Sequence, residues 1–408
     1  MKLYDELKWR GLIKDEAGED LEKKLNEGGM TFYIGTDPTA DSLHLGHLSS
    51  FLISKRLEKA GHHPILLIGG ATGRIGDPRP TEERPMKSVE EIESNFKALK
   101  KQVTDLFGFE VVNNYDWCKD INFIDFLRDY GKYFNVNYML DKDIIRRRLD
   151  SGITFTEFSY MIMQALDFLH LYENKNCVMQ CAGSDQWGNI TAGIDLIRKK
   201  TGKEVYGFTM PLVTDKNGKK FGKSEGNAFW LDKNKTSSYE IYQYLVNSDD
   251  EKVIDYLKIF TFLTREEIED IERKHKEKPE ERFAQKTLAM EVITFLHGKE
   301  EATKAKKMSE ALFTGRVNDL SVNEINNIFR DVPRFECFDG ENIIDLLVNS
   351  KICQSKREAR EFVNAGSIMI NEEKITSEDY IVKCDKAIDG DIIVLRRGKK
   401  KYFVGKIV

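Results

Sequence analysis

Two histidines and a cluster of lysines are the residues of this chain whose types and spacing suit phosphate chemistry. His44-Leu45-Gly46-His47 opens a predicted helix, directly after a strand and the turn-rich loop Gly35-Thr36-Asp37-Pro38-Thr39-Ala40-Asp41-Ser42. A helix N-terminus presents unpaired backbone N–H groups and the positive end of its dipole, so it attracts phosphate. Gly46 leaves space for a flat ring against the backbone. His44 and His47, three apart, point the same way and can donate to phosphate oxygens. The plainer alternatives are two surface histidines, or a metal pair lacking its third ligand. Lys219-Lys220-Phe221-Gly222-Lys223-Ser224 follows a strand and the turn Asp215-Lys216-Asn217-Gly218. Three lysines in five residues on a glycine-containing loop can close over a polyphosphate. Taken by itself, such a loop is equally a solvated basic surface.

A third element is polar where it should not be. Glu157 to Leu171 reads as a largely apolar helix, yet Tyr160, Gln164 and Asp167 fall at i, i+4 and i+7, on one face. Polar groups on a buried helix must find partners. They form either a structural hydrogen-bond network or the lining of a pocket whose two ends bind the two polar ends of one substrate.

Taken together, the first two elements resemble the paired signatures of class I aminoacyl-tRNA synthetases, His-Ile-Gly-His and Lys-Met-Ser-Lys-Ser. Here they stand as His44-Leu45-Gly46-His47 and Lys220-Phe221-Gly222-Lys223-Ser224. Phe-Gly replaces Met-Ser, while both lysines and the final serine remain. Phe155-Thr156-Glu157-Phe158-Ser159-Tyr160, with Gln164 and Asp167, resembles bacterial tyrosyl-tRNA synthetases. So do Gly183-Ser184-Asp185-Gln186-Trp187-Gly188-Asn189 and Gly69-Gly70-Ala71-Thr72-Gly73 through Gly76-Asp77-Pro78. The resemblance covers essentially the whole chain. It implies that Tyr33 and Asp167 hold a phenolic hydroxyl. Tyr160, Gln164 and Asp77 would hold the ammonium group, with Gln180 beside them. Asp37, Asp185 and Gln186 would serve the nucleotide and its ribose, with Gly35, Thr39 and Gly46 against it. His44, His47, Lys220, Lys223 and Ser224 would contact the phosphates. Many relatives carry lysines after Asp77-Pro78, where this chain has Arg79-Pro80-Thr81-Glu82-Glu83-Arg84; Arg84 then takes the charge-neutralising role near pyrophosphate. The implied reaction is activation of L-tyrosine by ATP with Mg²⁺, then transfer to the terminal ribose of tRNA(Tyr), by a homodimer. One rival within the fold is a tryptophan-specific synthetase, which Tyr33 and Asp167 suit less well. A rival of another class is a non-catalytic RNA-binding protein on the same scaffold, although both signatures remain.

These side chains need a scaffold that brings distant segments together. Thr31–Ile34, Pro64–Ile68, Glu110–Asn113, Cys177–Cys181 and Val205–Val213 read as strands separated by helical patterns. Such alternation predicts a Rossmann-like, doubly wound parallel α/β sheet. The continuously apolar Pro64–Ile68 suits a strand buried on both faces. A helix from about Leu43 to Ala60 stops at Gly61. Thr264 and Glu267 mark a capped helix start in a charge-rich helical stretch. We therefore expect a catalytic domain over 1–224, a helical tRNA-binding domain over 225–320, a linker over 321–340 and a small α+β RNA-binding module over 341–408.

That last module carries Lys356, Arg357 and Arg360 on one predicted helix, and Arg396, Arg397, Lys399, Lys400 and Lys401 near the end. Clustered cations suit backbone phosphates, and this order resembles a small RNA-binding module shared with ribosomal proteins; a solvated basic tail is the alternative. The whole chain, at net charge -5 with 63 basic and 68 acidic residues, shows no global basic bias, so RNA contact must be local. The 6 cysteines are scattered, which suggests a reducing cytoplasm and no structural metal site. The acidic start lacks a signal peptide's apolar core, and no aliphatic run is long enough to span a bilayer.

Overall fold

The computed structural model describes the 408-residue chain except residues 79–84, 225–226, 315, 331 and 399–400, and the side chains of residues 143, 144, 224, 227, 313 and 314. The described residues form two compact units. The first comprises Met1–Thr236 and Ser248–Ala284, the second Ser237–Asn247 and Gln285–Val408.

The first unit is built on β1 (Glu16–Ala17), β2 (Thr31–Thr36), β3 (His63–Ile68), β4 (Glu110–Asn113), β5 (Cys177–Gly183) and β6 (Tyr206–Met210), in the order β1-β6-β5-β2-β3-β4. All pairings are parallel except that of β1 with β6. Without the short edge strand β1, which sequence reading missed, the parallel strands follow the 3-2-1-4-5 order of a doubly wound sheet. The order reverses between β2 and β5, and a crevice must open there at the carboxyl ends of the strands. The strand expected over Val205–Val213 ends at Met210, because Pro211 cannot donate to the ladder.

Side chains alternate across β2. Phe32 joins Leu7, Leu25, Ile53, Leu57 and Phe208 in one core. Tyr33 points the other way, into a core with Ile65, Leu67, Met161, Ala165 and Phe168. The second core is covered by the helices Phe155–Lys175 and Trp187–Thr201. Phe155–Lys175 begins with a capping box, Thr154 with Glu157. The buried Glu157 also takes a two-pronged ion pair from Arg148 at 3.0 Å per oxygen. Leu45–Lys59, shorter than expected by two residues at its start, has His44 as its N-cap. The expected cap of Thr264 with Glu267 is formed.

In the second unit, Ser238–Val246, Lys299–Thr314 and Val322–Ile328 are helices. Its sheet follows the order β11-β10-β12-β13-β9 and contains β9 (Arg334–Cys337), β10 (Ile368–Ile370), β11 (Glu373–Ile375), β12 (Ile392–Arg397) and β13 (Lys401–Ile407). The numbers β7 and β8 belong to the small hairpin Lys223–Ser224 with Asn227–Ala228 in the first unit. Residues 321–340, expected as a linker, carry regular structure: the helix Val322–Ile328, and β9 paired in parallel with β13. Met308, Ala311 and Val317 share a core with Ile388, Ile392 and Val404, so helical and C-terminal segments are packed as one body.

Candidate active site

Each half of the first signature caps the other. The Gly46 N–H donates to His44 Nδ1 at 3.0 Å, and the His44 N–H donates to His47 Nδ1 at 3.3 Å. The Leu45 N–H goes to the Phe229 carbonyl and the His47 N–H to the His44 carbonyl, both at 2.8 Å. The first three N–H groups of this helix are thus taken. The expectation that they cradle phosphate is corrected, because a cap has used them. What remains for phosphate is the imidazole pair. With Nδ1 accepting in both rings, the proton sits on Nε2, which becomes a donor. The rings stack at 3.9 Å. Burial, with Lys223 and Lys220 nearby, lowers His44 to about 4; burial, His44 and Lys223 lower His47 to about 3. Both are neutral donors at pH 7.

The lysine loop lies against this helix start. A Cβ on Gly46 would meet the His44 ring at 2.8 Å and the Phe221 carbonyl at 3.3 Å. The space expected there for a flat ring is therefore filled by the protein itself. Gly222 has φ +78°, and a Cβ there would meet the Gly46 nitrogen at 2.8 Å. Only glycine combines that backbone with that approach. Phe221 is buried against Tyr256 and Phe260, at ring distances of 4.6 and 4.7 Å, and anchors the loop. This accounts for Phe-Gly in the second signature. Lys220 and Lys223 are exposed on either side of the anchor. The Ser224 side chain, Arg84, Lys399 and Lys400 lie outside the described residues.

At the crevice floor, Tyr33 on β2 and Gln180 on β5 are register partners, each 1% exposed. The Tyr33 hydroxyl and Gln180 Oε1 are buried without a hydrogen-bond partner among the described groups. Such groups are costly to leave unpaired, and they mark a place where a ligand's polar atoms are needed. Asp167, also 1% exposed, accepts from Asn114 Nδ2 at 3.0 Å and Trp117 Nε1 at 2.9 Å. Burial raises its carboxyl to about 7, against the lowering effect of those two bonds. Sequence reading missed Asn114 and Trp117. Their signal was position: both follow β4 directly, at the same rim as the other strand ends.

Tyr160 donates to Asp37 Oδ2 at 3.0 Å, and Thr72 donates to Asp37 Oδ1 at 2.8 Å. Residues expected to serve different substrates, Tyr160 the amino acid and Asp37 the nucleotide, are therefore bonded to one another. Gln186 donates to Asp77 Oδ2 at 2.8 Å, and Asn189 Nδ2 bridges Gln186 Oε1 at 2.9 Å and Gln164 Oε1 at 3.0 Å. Asp77, Gln164 and Gln186 thus belong to one network through Asn189, a residue to which sequence reading gave no role. Gly35 is exposed near the end of β2 and Thr39 in the loop after it, and Asp185 follows β5 in a short 3₁₀ turn.

In the second unit the described cations of the C-terminal cluster are mostly paired. Lys356 meets Asp345 at 2.6 Å, Arg357 meets Glu361 at 3.1 Å and Arg360 meets Glu378 at 3.1 Å. Arg396 meets Glu372 at 3.3 Å and Arg397 meets Glu358 at 3.8 Å. Lys401 is exposed at the start of β13. Among the described residues no group of three or more metal-ligating side chains occurs, and no helix is long and apolar enough to cross a membrane.

A doubly wound sheet whose switch point is flanked by a capped histidine pair and a lysine loop defines a class I aminoacyl-tRNA synthetase. A family model described as tRNA synthetases class I (W and Y) matches residues 25–314. A second, described as a tyrosine–tRNA ligase C-terminal domain, matches 324–405. The tyrosine–tRNA ligases of Listeria welshimeri and Bacillus pumilus are each 50% identical to this chain, over 99% of both sequences. A solved C-terminally truncated mitochondrial tyrosyl-tRNA synthetase of Aspergillus nidulans superposes with a TM-score of 0.67 at 33% identity, covering 76% of this chain and 93% of that one. A tryptophanyl-tRNA synthetase of Encephalitozoon cuniculi, at 16% identity and TM-score 0.54, shares the fold. The chain belongs to the tyrosyl-tRNA synthetase family of class I, the enzymes that activate tyrosine with ATP and transfer it to tRNA(Tyr).

Proposed function

We propose that tyrosine binds at the switch point of the sheet with its phenol between Tyr33 and Asp167. The observation that carries this reading is the pair of unpartnered buried polar atoms on adjacent strands, the Tyr33 hydroxyl and Gln180 Oε1. Asp167 accepts from the phenol and the Tyr33 hydroxyl completes the contact. Tyr160, Gln164 and Asp77 take the ammonium group, with Gln180 beside them. ATP enters as its magnesium complex, the metal riding on substrate phosphates. Gly35, Asp37, Thr39, Asp185 and Gln186 line its nucleoside end.

The tyrosine carboxylate attacks the α-phosphorus, the bond to the bridging oxygen breaks, and pyrophosphate leaves. Charge moves onto the leaving group. The neutral His44 and His47 donate from Nε2, and Lys220, Lys223, Ser224 and Arg84 supply the remaining donors. Fixed donors of this kind act on the transition state without reorganisation. A terminal ribose hydroxyl of tRNA(Tyr) then attacks the carbonyl and AMP departs.

Lys356, Arg357, Arg360, Arg396, Arg397 and Lys401, with Lys399 and Lys400, contact the tRNA backbone. Exposed apolar side chains at Phe123, Ile124, Val136, Tyr138 and Phe155 support a homodimer formed through the first unit. The free thiols suit a cytoplasmic setting. ATP–pyrophosphate exchange across a panel of amino acids tests the assignment: exchange should depend on tyrosine, and equal exchange with tryptophan or phenylalanine would overturn it.

A further inference from the structure

We propose that Trp230, braced by Lys235 and Asp41, is a positioning residue that holds the His44 imidazole for adenylate formation. The proposal rests on the reading that His44 serves that step. After the β7–β8 hairpin the chain returns along the helix start. The Leu45 N–H bonds to the Phe229 carbonyl and the Leu231 N–H to the Leu43 carbonyl, both at 2.8 Å, with His44 and Trp230 facing each other between them. The Phe229 N–H bonds to the Gly222 carbonyl at 3.0 Å, so the lysine loop is tied to this point at Gly222.

The Trp230 indole stands edge-on to His44, with ring centres 6.1 Å apart at 64°. Trp230 is itself held twice. Its backbone N–H donates to the buried Thr236 hydroxyl at 3.0 Å, and the Lys235 ammonium lies 5.3 Å from its ring centre. Lys235 is paired in turn with Asp41, on the loop that leads into His44. A closed brace results, running from Asp41 through Lys235 and Trp230 to His44.

The brace controls one torsion. If the His44 ring turned over about its Cβ–Cγ bond, Nδ1 and Cδ2 would exchange places. Gly46 would lose its acceptor, and the Nε2–H would no longer be fixed in direction. Stacking on His47 limits tilt but is compatible with such a turn. A partial turn that takes the ring out of its plane gives up both that stack and the edge contact from Trp230, and pairs of this kind are worth about 2- to 13-fold in an equilibrium.

The test measures adenylate formation by the full-length chain in single turnovers, together with tyrosine affinity. Trp230→Ala should slow the step about 2- to 13-fold with tyrosine affinity unchanged, and Trp230→Phe should restore most of the rate. In a His44→Ala background, Trp230→Ala should cost nothing further, because a positioning residue has no effect without the group it positions. Lys235→Gln should show the same dependence on His44 at smaller size, and it serves if the tryptophan variant folds poorly. Losses that multiply in the double variant, or an unchanged rate in Trp230→Ala, would overturn the proposal. Should His44→Ala alone leave the rate unchanged, the underlying reading of His44 is what fails.

Discussion

Removing the Tyr33 hydroxyl should strengthen the fold and weaken the chemistry. In the free protein that hydroxyl is buried and has no partner among the described groups. A buried polar group left unpaired costs about 1–3 kcal/mol, so Tyr33→Phe should relieve part of that and raise stability by about 1 kcal/mol. The hydroxyl also makes one neutral hydrogen bond to the bound phenol, worth about 0.5–1.5 kcal/mol net. Its loss should therefore lower kcat/KM for tyrosine by about 2- to 13-fold. Phenylalanine should gain, because its binding would no longer leave the Tyr33 hydroxyl unpaired; the ratio between the two amino acids shrinks from both sides. Asp167 stays in place, held by Asn114 and Trp117, so discrimination should not vanish. The measurements are urea unfolding of free protein and pyrophosphate exchange with each amino acid. A destabilised variant would mean that the hydroxyl has a partner in the folded protein. Unchanged kinetics with tyrosine would mean that it faces no substrate.

Three further outcomes are expected. Lys223→Ala should slow adenylate formation far more than it weakens tyrosine binding, as separate single-turnover and equilibrium measurements would reveal, since its contact belongs to the transition state. Burial raises Asp167 to about 7, so between about pH 4 and that value the folded state keeps a proton that the unfolded state has released. This group therefore lowers stability as pH rises through that window; Asp167→Asn should flatten the decline, and an identical pH dependence of urea midpoints in the two proteins would count against the burial argument. Replacing Arg357, Arg360 and Lys401 by Gln should weaken tRNA binding and make its salt dependence shallower, by up to about 0.9 in log–log slope per lost phosphate contact, while leaving pyrophosphate exchange intact. An unchanged slope would place the RNA elsewhere.

Much of the scaffold was legible because its signals are local. The apolar run at Pro64–Ile68, the strand–helix alternation and the Thr264 cap each follow from neighbours a few residues apart. The two signatures were legible for the same reason, and their resemblance to a family tied them to one reaction. With residues 321–340 read as a linker, a chain cut near Phe338 is expected from sequence still to form the adenylate while binding tRNA poorly. In the structure β9 ends at Cys337 and pairs with β13, and Met308 and Val317 pack against Ile388 and Val404. A cut there would strip a core that no local pattern announces.

The sequence by itself determined which residue types this protein commits to phosphate and phenol, and the order of strands and helices that carries them. Only the tertiary structure decided who bonds to whom. It spent the N–H groups of the first signature on a cap and left the imidazoles as donors. It set Asn114 and Trp117 on Asp167, and it joined Tyr160 to Asp37 across the crevice. The pairings on Asp167 and Asp37 link residues 50 and more positions apart, such as Trp117 with Asp167 and Asp37 with Tyr160. Periodicity and capping act over a few residues, whereas a buried polar atom takes its partner from whatever the sheet order brings beside it.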